Sequence, residues 1–118
     1  MTPDEFRKLA LAFDGAEEKS HQNHPDFRCG GKIFATLGAP NDEWAVVKLN
    51  PAQQQAFVKL DAKSFVPASG AWGQRGYTQI RLSSAKKTLI QAALDNSFEN
   101  VFAKPARPAS KSPRRKTK

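Results

Sequence analysis

Two histidines three residues apart, His21 and His24, with Asp26 close behind, are the first residues of this chain equipped for chemistry. On a helix that spacing would bring two imidazoles together as metal ligands. Pro25 argues against a helix there, and no third ligand stands at a suitable distance. The sequence therefore favours a turn at His24-Pro25-Asp26 and no metal site. Cys29 would need a nearby base to act as a nucleophile or redox thiol. It falls between Arg28 and Gly30 in an expected strand, where a small buried hydrophobe is the simpler role. Glu17 and Glu18 read as solvated charges. No catalytic constellation emerges, so the chain is expected to be non-enzymatic and to carry no cofactor.

A second set of residues suits binding rather than catalysis. Arg28, Lys32, Lys48, Arg75 and Arg81 are the cations nearest the expected hairpins and sheet, and Trp72 and Tyr77 lie among them. Cations interleaved with aromatics can neutralise phosphates while the rings stack on bases. The structural alternative is that each cation is a solvated strand or loop residue and that Trp72 plugs the edge of the core. Gly70, Gly73 and Gly76 suit a flexible loop. Their spacing matches no phosphate-binding motif, because a strand rather than a helix follows them.

The net charge of +8 divides unevenly. Residues 1–103 hold 12 Lys and Arg against 11 Asp and Glu, whereas residues 104–118 hold 7 Lys and Arg and no acid. The body is nearly neutral and the C-terminal segment is strongly basic. That segment has three prolines and no large apolar residue, so it is expected to be a disordered tail that attracts polyanions. Lys111, Arg114, Arg115 and Lys116 are its candidate contacts. Ser112-Pro113-Arg114-Arg115 is similar to the Ser-Pro-basic-basic units of histone tails, which lie in AT-rich minor grooves. A merely solubilising tail is the alternative.

The length, 118 residues, fits one domain, expected over residues 1–103. A single cysteine excludes an internal disulfide and fits a reducing cytoplasm. No apolar run approaches the roughly 18 residues needed to span a bilayer. The N-terminal stretch reads as an amphipathic helix with acids in its first turn rather than a signal peptide.

These residues need elements to position them. Thr2 as cap, Pro3 and the acids Asp4 and Glu5 open a helix whose apolar face is Phe6, Leu9, Ala10 and Phe13. Strands are expected at Phe27–Gly30, Lys32–Leu37 and Trp44–Leu49, with reversals at Gly30-Gly31 and over residues 38–42. Asn50-Pro51 starts a second helix, with Ala52, Ala56, Phe57 and Leu60 apolar. Phe65-Val66 is a short strand, residues 69–73 a loop, and Tyr77–Leu82 a strand. Ser83 or Ser84 caps a last helix that packs through Leu89, Ile90, Ala93, Leu94, Phe98 and Val101. The order α-β-β-β-α-β-β-α implies an α/β (α+β) two-layer sandwich, a mostly antiparallel sheet with helices on one face. If Ala45, Val47, Leu49, Ile80 and Leu82 face the helices, then Val46, Lys48, Tyr77, Gln79 and Arg81 face the open side.

His24-Pro25-Asp26-Phe27-Arg28, Gly31-Lys32-Ile33-Phe34-Ala35, Val47-Lys48-Leu49 before Pro51, Trp72-Gly73 and Ser97-Phe98 together resemble the MmcQ/YjbR family of small bacterial proteins. The resemblance implies a secretion-chaperone-like sandwich, α-β(3)-α-β(2)-α, in agreement with the order read from the residues. Members are commonly described as DNA-binding proteins, and no catalytic residues carry over. The basic segment departs from the family pattern, in which the chain stops soon after the last helix. The expectation is weakly sequence-selective DNA binding through phosphates. The alternative is a chaperone-like or scaffolding module, or a homodimer, that uses the open sheet face.

Overall fold

The computed structural model describes residues 1–21, 23–38 and 41–102. The basic segment, including Lys111, Arg114, Arg115 and Lys116, lies outside them, as do residues 39 and 40 of the expected 38–42 loop.

Chain order is α1 (Pro3–Leu11), β1 (Glu17–His21), β2 (His24–Cys29), β3 (Lys32–Leu37), β4 (Trp44–Lys48), α2 (Pro51–Leu60), β5 (Phe65–Pro67), α3 (Gly70–Gln74), β6 (Tyr77–Arg81) and α4 (Lys87–Phe102). Mixed α+β architecture is as expected, a six-stranded sheet in the order β1-β2-β3-β4-β6-β5 with every pairing antiparallel. Two elements were not anticipated. Glu17–His21 forms an edge strand although all five of its residues are exposed. With no apolar alternation it gives no sequence signal, and its charges suit an unprotected edge. Gly70–Gln74 is a short helix rather than a loop.

The helix starts follow their caps. Thr2 and Asn50 each accept from the backbone three residues on, while Glu5 and Gln53 reach back to complete capping boxes. Ser83 and Ser84 do not cap α4, which starts later, at Lys87. Ser84 instead meets Ser64, hydroxyl to hydroxyl, at 2.7 Å.

Helices α1, α2 and α4 cover one sheet face through aromatic contacts. Phe6 meets Phe27, Phe13 and Phe98 both meet Phe34, and Phe57 meets Phe65. The packing faces of α1 and α4 are as expected. That of α2 is not. Gln54 and Phe57 are its buried residues, whereas Ala52, Ala56 and Leu60 are exposed. The reason is polar, because the Gln54 amide has three acceptors to reach, described below.

A β-bulge sets the register. Phe27 pairs with Ala35 but Arg28 pairs with Ile33, so β3 carries Phe34 as an extra residue. Phe34 and Ala35 are consequently both buried. The Ser97 hydroxyl on α4 bridges the disturbed ladder. It donates to the Phe34 carbonyl at 2.5 Å and accepts from the Lys48 N–H at 2.8 Å.

Candidate functional site

With one face covered, alternation fixes what the other presents. Ala45, Val47, Thr78 and Ile80 are buried beneath the helices. Their neighbours Val46, Lys48, Tyr77, Gln79 and Arg81 therefore point to the open side, as the sequence implied, and Trp44 joins them. Cross-strand partners share a face, so Thr36, Val46, Gln79 and Val66 form an uncharged row across the middle of it.

At the β4–β6 end the cations meet aromatic rings. Lys48 and Tyr77 are cross-strand partners, with Lys48 Nζ 5.8 Å from the ring centre. Tyr77 meets Trp72 edge to face at 4.9 Å, and the Arg75 guanidinium lies 5.6 Å from the Trp72 ring. These four side chains form one continuous group. Trp72 is 57% exposed, the most open of the aromatic residues in the group. Among the described residues neither Lys48 nor Arg75 has an ion pair. Such a group can offer a ring face to a flat ligand and two cations to an anion.

The backbone holds this group tightly. Gln54 Nε2 donates to the carbonyls of Gly73 (3.0 Å) and Tyr77 (3.1 Å) and reaches Thr78 Oγ1 at 3.2 Å. Thr78 Oγ1 in turn donates to the Gly76 carbonyl at 2.8 Å. A Cβ on Gly73 would stand 1.8 Å from the Ala68 carbonyl oxygen, and one on Gly76 would stand 1.9 Å from that of Leu49. Gly76 also has a φ of +112°. The two glycines thus permit close backbone approach, and the flexible loop expected from them is a fixed turn. Asn100 Nδ2 donates to the Lys48 carbonyl at 2.9 Å and fixes the other side.

At the β1–β2 end the same face is organised around a buried acid. Asp26 has no exposed surface and accepts from Arg28 through Nε at 2.6 Å and Nη2 at 3.1 Å. Its Oδ2 also lies 2.7 Å from His21 Nδ1. The hydrogen bond from Arg28 holds the carboxyl below its ordinary range; burial opposes this, and His21 adds to it. The same bond raises the Arg28 guanidinium.

The five body cations expected to act together are therefore distributed. Arg28 is engaged by Asp26. Lys32 pairs across the hairpin with Cys29, whose Sγ packs beside Gly15 on the helix-covered side, so Lys32 belongs to the other face. Arg81 lies over Trp44 and ion-pairs with Glu43 at 3.0 Å in an exposed, weak bridge. Lys48 and Arg75 remain with Tyr77 and Trp72. Gln54 was not singled out from the sequence, and Asp26 was considered there only as a companion to the two histidines. A glutamine in phase with Phe57 was the one available hint for the former.

The family model YjbR matches residues 11–100. The fold is similar to that of a Deinococcus radiodurans protein with a DUF419 domain, at 16% identity and a TM-score of 0.75 over 91% of this chain and 83% of that one. It is also similar to a Pseudomonas syringae protein, at 15% identity and a TM-score of 0.64 over 86% of this chain and 99% of that one. No curated protein matches the sequence.

Proposed function

The chain belongs to the YjbR family, and on that premise we propose that it is a bacterial, cytoplasmic, non-catalytic protein that binds nucleic acid. Lys48, Tyr77, Trp72 and Arg75 form the contact on the body, and the basic segment 104–118 supplies long-range attraction. The observation that carries this reading is the continuous run of two rings and two cations, neither with an ion pair among the described residues, at the open sheet face. A body of almost balanced charge adds little attraction elsewhere, so affinity depends on a few phosphate contacts and weakens steeply with salt.

The uncharged row Thr36, Val46, Gln79 and Val66 favours a second reading, a module that lays an extended peptide or second copy on the same face. The two readings separate on salt. The full-length protein and a variant lacking residues 104–118 are titrated with duplex DNA at two salt concentrations. Nucleic-acid binding requires measurable affinity of the shortened protein at low salt, a log–log salt slope of about 2 for its two cations, and a much steeper slope for the full chain. A shortened protein with no low-salt affinity would remove the body from the proposed interface.

A further inference from the structure

The hairpin joining β1 to β2 closes on the two histidines. His21 ends β1 and His24 begins β2, and they are direct cross-strand partners, so both rings leave the sheet on one face. Their centres are 6.5 Å apart and their planes 66° from parallel. The pairing is a product of the hairpin: the strand begins at His24 rather than after the turn expected at His24-Pro25-Asp26, and this makes the two histidines cross-strand partners.

The two rings are not equivalent. His21 Nδ1 lies 2.7 Å from Asp26 Oδ2. Two Arg28 nitrogens already donate to that carboxylate, so it acts as an acceptor and fixes the His21 proton on Nδ1. Nε2 is left without a bond to the acid. A neutral imidazole oriented through its other nitrogen by a buried carboxylate is the usual state of a metal-ligating histidine. The half-buried His24 ring has no hydrogen bond among the described residues.

We propose that His21 and His24 form an open two-imidazole site for a divalent transition metal ion of the zinc, nickel or copper type, with Asp26 as positioning residue. Two imidazoles on one tetrahedral ion place their ring centres about 5 Å apart, given metal–nitrogen bonds of about 2.1 Å. Rotation of the His24 side chain closes the remaining gap while Asp26 holds His21 in place. Nitrogen ligands select this class of ion over magnesium and calcium, which take oxygen ligands. Among the described residues no group of three or more His, Cys, Asp or Glu could hold a metal. Water completes the shell, and the ion is exchangeable rather than required for folding.

The chain contains only these two histidines, so its imidazole proton resonances report the site directly. The untagged full-length protein is titrated with zinc chloride, with magnesium chloride as control. Both histidines should shift together and saturate at one zinc per chain, and magnesium should move neither. His24→Gln should weaken zinc binding at least about tenfold, the change expected for loss of a ligand or its support. Asp26→Asn should weaken it about 10–100-fold without abolishing it. Movement of one ring alone, or unchanged affinity in His24→Gln, would overturn the proposal. His24→Gln changes a half-buried hairpin residue, so it keeps the test decisive even if Asp26→Asn fails to fold.

Discussion

The two ends of the open sheet face contain similar residue types in opposite circumstances. At the β1–β2 end, Arg28 has a buried carboxylate to satisfy, and its charge is used inside the protein. At the β4–β6 end, Lys48 and Arg75 lie beside rings and have no ion pair among the described residues. A cation–π contact leaves the ammonium or guanidinium able to meet an anion as well, whereas a bidentate ion pair occupies the donors. Whether a basic strand residue can serve a ligand is decided by the acid two residues away or across the strand, not by its own identity.

The comparison breaks most sharply at glycine. Gly76→Ala should cost more than about 3 kcal/mol, since it adds left-handed strain to a backbone clash. Gly30→Ala, in the β2–β3 hairpin, meets nothing within 4 Å and should cost only about 1 kcal/mol for its φ of +60°. Urea unfolding midpoints of the two variants check the difference. At the acid end, Asp26→Asn should lose about 2 kcal/mol, the worth of hydrogen bonds to a charged group. Folding lowers the Asp26 value, so its stabilisation is complete above the unfolded value near 4 and is lost as pH falls through the lower, folded one. The acid limb of a stability–pH curve should accordingly be flatter in Asp26→Asn than in the native protein. Ser97→Ala leaves the Phe34 carbonyl and Lys48 N–H without their bridge and should cost about 1–2 kcal/mol in the same unfolding assay. The smallest effects concern binding. Lys48→Ala and Arg75→Ala should each reduce the log–log salt slope for DNA by about 1, while Arg28→Ala leaves it nearly unchanged.

Most of the helix-covered half of the molecule, the packing face of α2 and the start of α4 excepted, was legible because its signals are local. Thr2 and Asn50 announce helix starts, and alternation in residues 44–49 and 77–82 assigns the sheet faces. The edge strand Glu17–His21 was not, because pairing with β2 rather than burial holds it. The short helix at Gly70–Gln74 is held by a hydrogen bond from Gln54, 19 residues away, to the Gly73 carbonyl, which no local window of sequence displays. Candidate binding residues were legible as types, and Lys48, Trp72, Arg75 and Tyr77 do converge. Their separation from Arg28 and Lys32 depends on a bulge, a register and one buried acid, all of them long-range facts.

The most direct test of the nucleic-acid reading is where a short DNA duplex perturbs the backbone amide NMR spectrum of the full-length protein at low salt. Shifts concentrated at Lys48, Trp72, Arg75 and Tyr77, reversed by added salt, are the expected result. Shifts confined to residues 104–118, with the β4–β6 end of the sheet unmoved, would contradict it.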